Sequence, residues 1–332
     1  MSDFSTRRAR ERPGERRSAS ALQRASFIVL GFLLAGLIGL GAYFFPLFQS
    51  STTPVVNSGG GILNPITIAG PTEPFTVLLL GSDDDSKFVA DKYNTQSMIL
   101  VRVDPSTKSV TMLSIPRDLW VPMPGGGMGK ISTASQSGGI DAAVSVVESN
   151  FHVHIDDYAW IGLEGLIKLI DAMGGVDLEI TNPVLDDFYP ADINTTTPYS
   201  YYRVALMPGA VHLDGVHALQ YVRSRHGDLR GDFARSERQQ ELLLAMKAEA
   251  KHLNLANLPD LAQALNGEVK TSMSLQRVQQ LFSVLDQYNS ANVKRVVLVP
   301  PYTSEGWAYG QSVVFPDWNA ILPVVRESFP SS

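Results

Sequence analysis

Phe75 to Leu80 reads F-T-V-L-L-L, an apolar run with almost no polar break. A strand with one face in water alternates apolar and polar side chains. A strand without that alternation must be covered on both faces. Val293 to Val299 reads as another buried strand. Ser97 to Val103 and Ser109 to Ile115 are strands joined by Asp104-Pro105-Ser106-Thr107, a turn sequence, so the two are expected to pair as a hairpin. Further strands are expected at Val176 to Ile180 and Tyr201 to Leu206, with Thr181 to Ser200 irregular between them. Helical periodicity marks Ile140 to Asn150, Asp214 to Gln220, Phe233 to about His252, Ser274 to Tyr288 and Asp317 to Ser328. Gly162 to Met173 carries Leu163, Leu166, Ile167 and Ile170 on one stripe and stops at Gly174-Gly175. Strands and helices mix throughout, so the expected class is α/β, with helices on both faces of one sheet.

The chain of 332 residues divides before this domain begins. Residues 1–25 form a polar tail with Arg7, Arg8, Arg10, Arg12, Arg16, Arg17 and Arg24. Residues 26–48 are apolar and uncharged, and a membrane-spanning helix takes about 20 such residues. Arginines ahead of the span predict a cytoplasmic N-terminus and an extracytoplasmic remainder. A cleaved signal peptide is the other reading, but no clear cleavage site follows the run. Residues 49–74, rich in Ser, Thr, Pro and Gly, read as a linker, and 75–332 as the folded domain. There is no cysteine, which removes disulfides, thiolate metal sites and cysteine nucleophiles. Net charge is −6, and the basic tail makes the remainder more acidic still, which disfavours nucleic acid as a partner.

Against that acidic background the stretch Tyr221 to Gln240 stands out: it holds Arg223, Arg225, Arg230, Arg235 and Arg238. Tyr221-Val222-Arg223-Ser224-Arg225 alternates as a strand does, which would turn Arg223 and Arg225 to one face. Asp232 reads as the N-cap of the helix starting at Phe233, with Asp232, Arg235 and Gln239 on one side of it. Guanidinium forks beside a helix N-terminus suit a polyanion, while a solvated face of ion pairs is the alternative.

Two other segments bear on the same chemistry. The third strand ends at Pro116-Arg117-Asp118, and ligands in open α/β sheets bind at such carboxyl ends. The first strand runs into Asp83-Asp84-Asp85, which beside arginines suits Mg²⁺ bridging to a diphosphate. Gly125-Gly126-Gly127 with Lys130 could let backbone approach a phosphate, or mark a flexible loop. His152 and His154 sit two apart but lack a third zinc ligand nearby.

These residues carry a resemblance to the LytR-CpsA-Psr family of bacterial cell-wall proteins. The matching pieces are L-L-L-G-S-D (Leu78 to Asp83), M-L-S-I-P-R-D (Met112 to Asp118), Lys130-Ile131 and D-A-M-G-G-V (Asp171 to Val176). L-D-G-V-H-A-L-Q-Y-V-R-S-R (Leu213 to Arg225) and D-F-A-R-S-E-R-Q-Q (Asp232 to Gln240) complete the set, in family order. The region after Lys251 carries no such motif. The resemblance implies a three-layer α-β-α sandwich around a mixed central sheet, preceded by one transmembrane helix. It also implies a phosphotransferase that moves a glycopolymer from a polyprenyl-pyrophosphate carrier to peptidoglycan or another cell-wall acceptor, outside the cell membrane. By motif position, Arg117, Lys130, Arg223, Arg225, Arg235 and Gln239 would contact the pyrophosphate. Asp232 would orient Arg235 or help activate the acceptor hydroxyl, which places Arg117, Asp232 and Arg235 in the catalytic set. Asp83 would hold Mg²⁺.

One segment departs from the family pattern. Asn94 stands where the family carries a phosphate-contacting arginine, and Gln96 where it carries the second metal-ligating aspartate. Gln96 offers Mg²⁺ a carbonyl oxygen without charge, and Asp84, Asp85 or Asp91 would have to fold back to compensate. That departure makes a lipid-diphosphate binding or regulatory protein with impaired catalysis one alternative, and the resemblance itself implies another, a polyprenyl-pyrophosphate phosphatase. For the lipid chain, Leu163, Leu166, Ile167, Ile170 and Met173 are candidates to line an apolar tunnel, with plain core packing the alternative for each.

Overall fold

The computed structural model describes residues 72–82, 94–191, 200–225, 232–250, 265, 268–274, 277 and 293–330. Strands β1 (Phe75–Ser82), β2 (Thr95–Asp104) and β3 (Ser109–Ser114) pair antiparallel in succession. A small hairpin of β4 (Trp120–Pro122) and β5 (Met128–Lys130) leads into helix α1 (Ala134–Phe151). Strand β6 (Asp157–Ile161) and helix α2 (Leu163–Ala172) come next. Four strands then leave the central sheet: β7 (Val176–Ile180), β8 (Val184–Pro190), β9 (Tyr201–Leu206) and β10 (Gly209–Leu213). They pair as β7 with β10 and β8 with β9. Helices α3 (Gly215–Arg223) and α4 (Asp232–Ala250) precede β11 (Val269–Thr271) and β12 (Val293–Val297). A last hairpin, β13 (Thr303–Ala308) and β14 (Gln311–Pro316), is followed by helix α5 (Trp318–Ser328).

The central sheet is six-stranded and mixed, in the order β11-β6-β1-β2-β3-β12. The β1–β6 and β3–β12 pairs are parallel. Strand β1 explains the layering. Phe75, Val77 and Leu79 point into one core with Leu169 and Ile170 of α2, Val222 of α3 and Leu242 and Leu243 of α4. Leu78 and Leu80 point into the other, with Val146 and Val147 of α1 and Ile321 and Val325 of α5. Each such buried side chain contributes about 1.5–3 kcal/mol, so covering both faces repays the loss of alternation. This is the α-β-α arrangement expected from the apolar strands.

Local signals set the helix ends. Helix α2 closes through Gly174 and Gly175, at φ 86° and 96°, with the Gly175 N–H donating to Ile170 O at 2.9 Å. Asp214 caps α3, accepting from the His217 N–H at 2.8 Å. Gly215 lets α3 cross close to α2, because a Cβ there would lie 2.3 Å from Ile167 O. Helix α1 breaks at Gly138 and Gly139, so the expected helix from Ile140 starts behind them, with one further turn from Ala134.

Several expectations are corrected. Tyr221 to Arg223 is not a strand but the last turn of α3. The period-two pattern there is also that of a helix end, with Ala218, Tyr221 and Val222 on the buried side. The segment 181–200 is not wholly irregular, since it contains β8. Strand β12 is an edge strand, with Lys294 and Arg295 exposed, rather than a buried one. His152 lies in the turn that ends α1, and His154 binds Glu148 Oε1 at 3.2 Å. The expected span at 26–48, linker residues 49–71, all but Ser274 and Arg277 of the helix expected at Ser274 to Tyr288, and the helix end near His252 lie outside the described residues. Among the described residues, no helix is long and apolar enough to cross a membrane.

Candidate functional site

The site begins where β3 ends. Pro116 stops the strand, and Arg117 and Asp118 turn away into β4. Lys130 returns on β5, opposite Trp120, and its Nζ reaches Asp118 Oδ1 at 2.8 Å. Arg117 Nε lies 3.4 Å from Asp118 Oδ2. Burial alone would raise the Asp118 carboxyl. The charge of Arg117, the hydrogen bond and charge of Lys130 and the charge of Arg225 outweigh it, holding the carboxyl below its usual value. Asp118 is therefore the anion that Arg117 and Lys130 share, with the charge of Arg225 close enough to act on it.

Helix α4 supplies the opposite wall. Arg235, only 5% exposed, and Gln239 lie one turn apart on it, as its spacing implies. Gln239 Oε1 accepts from Ser97 Oγ at 2.9 Å, which ties the amide to β2. Both residues line two adjoining cavities. The larger is a cleft of about 630 Å³, counted out to its open mouth, between the sheet and α2, α3 and α4. The smaller, about 300 Å³, runs beside Pro116, Arg117 and Phe233. Gln96, Ser97, Arg235 and Gln239 form the wall common to both.

Beyond Gln239 the same stripe of α4 becomes apolar: Leu242, Leu243 and Met246 line the larger cavity, with Ile99, Leu163, Leu166 and Leu219 facing them. Arg223 stands at the edge of this cavity, its guanidinium 5.8 Å from the centre of the buried Tyr189 ring. One helix face thus carries a cationic and polar head and an apolar tail, the pattern of an amphiphile with an anionic end.

The expected residues divide as follows. Arg117, Arg223, Arg235 and Gln239 line the two cavities, Lys130 pairs with Asp118 beside them, and Arg225 adds its charge at Asp118. Gln96 faces both cavities. Asn94 points elsewhere, accepting from Gln136 Nε2 at 2.8 Å. Asp83, Asp84, Asp85, Asp91 and Arg230 lie outside the described residues, as does the side chain of Asp232. Of the five tunnel candidates, Leu163 and Leu166 line the cavity. Ile170 and Met173 are buried in the core instead, and Ile167 packs its backbone on Gly215. Gly125 to Gly127 form the tip of the β4–β5 hairpin and line neither cavity.

Arg238 does not join the site. It is 6% exposed, donates to the Ser224 carbonyl and lies over the Tyr221 ring, fastening α4 to the end of α3. Sequence reasoning missed two carboxylates, Asp118 and the buried Asp186, and the apolar residues of α4. The α4 residues had a signal, since Leu242, Leu243 and Met246 continue the Arg235–Gln239 stripe at spacings of three, four and seven.

The chain is 32% identical over 218 residues to the polyisoprenyl-teichoic acid–peptidoglycan teichoic acid transferase TagV of Bacillus subtilis, covering 64% of this chain and 54% of TagV. It is 30% identical to Biofilm regulatory protein A of Streptococcus mutans, over 74% of this chain and 63% of that one. The chain thus spans little more than half to two-thirds of these two relatives. The crystal structure of B. subtilis TagV superposes with a TM-score of 0.64 at 26% identity, covering 79% of this chain and 99% of that one. A structure of TagT bound to LIIa-WTA gives 0.61 at 25% identity, covering 77% and 91%. The LytR_cpsA_psr family matches residues 56–321, and the chain belongs to that family.

Proposed function

We propose that this protein is a membrane-anchored phosphotransferase that moves a glycopolymer from a polyprenyl-pyrophosphate carrier to peptidoglycan or a related cell-wall acceptor outside the membrane. The single observation that carries this reading is the α4 stripe. Its head, Arg235 and Gln239, meets Arg117 and Arg223, and its tail, Leu242 to Met246, lines an apolar cavity. The lipid chain fills that cavity and the diphosphate lies across the cations. Relatives named as teichoic acid transferases support the same substrate class.

The acceptor hydroxyl attacks the phosphorus that bears the glycan. Its oxygen forms the new P–O bond, the bond to the bridging oxygen breaks, and polyprenyl phosphate leaves with the electron pair. Asp232 takes the hydroxyl proton or holds Arg235. Arg117, Lys130, Arg223, Arg225 and Arg235 neutralise charge that builds on the phosphoryl oxygens, so positioning and electrostatics supply most of the rate. Were Mg²⁺ bound, Asp83 and Gln96 would hold it, and it would supply charge to offset the diphosphate. Gln96 contributes one neutral carbonyl oxygen, and among the described residues no cluster of three His, Asp or Glu forms. The described residues alone do not make a magnesium site, and no step here depends on the ion.

The test incubates the purified full-length protein with a lipid-diphosphate glycan and a peptidoglycan acceptor. Transfer releases lipid phosphate only when acceptor is present. Lipid phosphate never appearing, with or without added Mg²⁺, would count against transfer.

Gln96 and Asn94 favour a second reading: a lipid-diphosphate binding or regulatory protein without turnover. Tight lipid binding that Arg223→Ala abolishes, with no product, would support it. Inorganic phosphate released without acceptor would instead indicate a phosphatase.

A further inference from the structure

Past the cations, the surface continues into a half-buried Trp120 and two exposed aromatic rings, Trp307 and Tyr309. Trp120 is the cross-strand partner of Lys130 on the β4–β5 ribbon, so the two side chains stand side by side on one face. The Trp120 ring meets Tyr309 with centroids 5.9 Å apart and planes tilted by 35°. Tyr309 is 88% exposed and sits at the tip of the β13–β14 hairpin. Trp307, two residues earlier on β13, is 75% exposed. Large rings this open to water on a folded domain mark contact surfaces.

Tyr309 is also held in an uncommon backbone state. Its φ is 49° and that of Gly310 is 75°, a two-residue turn whose first position ordinarily takes Asn, Asp or Gly. A bulky aromatic in the left-handed region is strained, and such strain collects at ligand sites. The hairpin is fastened to the site itself. The Val314 N–H donates to the Asp118 carbonyl at 2.9 Å, and Leu119 bridges to Val314. Asp118 thus holds Lys130 with its side chain and the aromatic hairpin with its backbone.

The order of surfaces decides what the rings contact. From the apolar cavity the wall passes to Arg235 and Gln239, then Arg117, then Asp118 with Lys130, then Trp120 and Tyr309. A lipid diphosphate laid along that line has its chain at one end. The group bonded to its far phosphate, the glycan, comes out over the rings. Sugar rings present an apolar C–H face, and the negative face of an aromatic ring attracts it.

We propose that the paired rings of Trp120 and Tyr309 form a shelf on which the sugars next to the diphosphate stack. This rests on the reading that the cavity takes a lipid diphosphate, and it adds a glycan subsite to that reading. Binding to the full-length protein is measured with two probes, polyprenyl diphosphate and the same lipid carrying a disaccharide. Trp120→Ala and Tyr309→Gly, the second of which also suits the positive φ, weaken the disaccharide lipid by about tenfold and leave the sugar-free lipid unchanged. Tyr309→Phe keeps the ring and the affinity. Equal affinities of variant and wild type for the disaccharide lipid overturn the shelf, as does an equal loss for both lipids. A raised KM for acceptor with donor binding intact also overturns it, in favour of an acceptor surface. If the wild type binds neither lipid, the lipid-diphosphate reading fails and the shelf falls with it. If it binds both and the variants do not discriminate, only the shelf fails.

Discussion

The Arg225 N–H donates to Oδ2 of Asp186 across 2.9 Å, joining the segment after α3 to strand β8, 39 residues earlier. Asp186 is 2% exposed, and its other oxygen accepts from the Phe188 N–H at 2.9 Å. A buried carboxylate with its oxygens on backbone donors fixes chain direction. Here it fixes the backbone at Arg225, two residues past the end of α3, and so where the Arg225 charge lies relative to Asp118.

Asp186→Ala therefore leaves backbone N–H groups unsatisfied, at a cost of about 1–3 kcal/mol. It also loosens Arg225. Thermal melting should show the stability loss, and lipid-diphosphate affinity should fall beyond what a matched destabilising core variant shows. An unchanged affinity would mean that Arg225 does not depend on this tie.

Asp118 gives a pH test. Its folded-state value is depressed below 3.8 once burial, which opposes the shift, is outweighed by Arg117, Lys130 and Arg225. A depressed carboxyl contributes stability that is complete above the unfolded value and disappears as pH falls through the folded one. The wild type should therefore lose stability as pH drops from about 5 towards 2, and Asp118→Asn should lose less over that range. At pH 7 Asp118→Asn should already be less stable than wild type. Melting curves across that range read both effects, and parallel curves would remove Asp118 from its role.

The apolar tail can be tested apart from the cationic head. Leu166 and Met246 both line the 630 Å³ cavity. Leu166→Trp or Met246→Trp fills it without touching the guanidinium groups. Affinity for a long-chain polyprenyl diphosphate should drop by about tenfold or more, while a short water-soluble diphosphate keeps its affinity. Loss of both affinities would point instead to a disrupted fold.

The sheet was readable because Phe75 to Leu80 lacks alternation, which demands cover on both faces whatever the partners are. The end of α3 was not, because five residues reading Y-V-R-S-R satisfy a period of two and a helical turn equally. Only the packing of Ala218 and Val222 against the sheet decides between them. Strand β8 was hidden for a related reason. Its pairing with β9 shifts register between Asp186 and Tyr189, which breaks the alternation that marks a strand. The arginines of the site were visible as charge in an acidic chain. Asp118 and Asp186 were not, since Lys130 and Arg225, to which they are tied, lie on other elements, and only Arg117 beside Asp118 leaves a local trace.

Gln96 occupies the wall shared by the two cavities, beside Arg235 and Gln239, where a carboxylate would face the proposed diphosphate directly. As an amide it adds a carbonyl oxygen and two N–H donors and no charge. The site should then hold a diphosphate with little help from a divalent ion, because its cations already offset the phosphates. Gln96→Asp reverses that balance: a carboxylate repels the diphosphate unless a hard cation bridges the two. Lipid-diphosphate affinity of Gln96→Asp should fall by about tenfold with chelator present and recover with millimolar Mg²⁺, whereas the wild type should change little between those conditions. Should the wild type need Mg²⁺ as strongly as the variant does, the metal is held by residues other than Gln96, and its neutral amide has not altered the chemistry of the site.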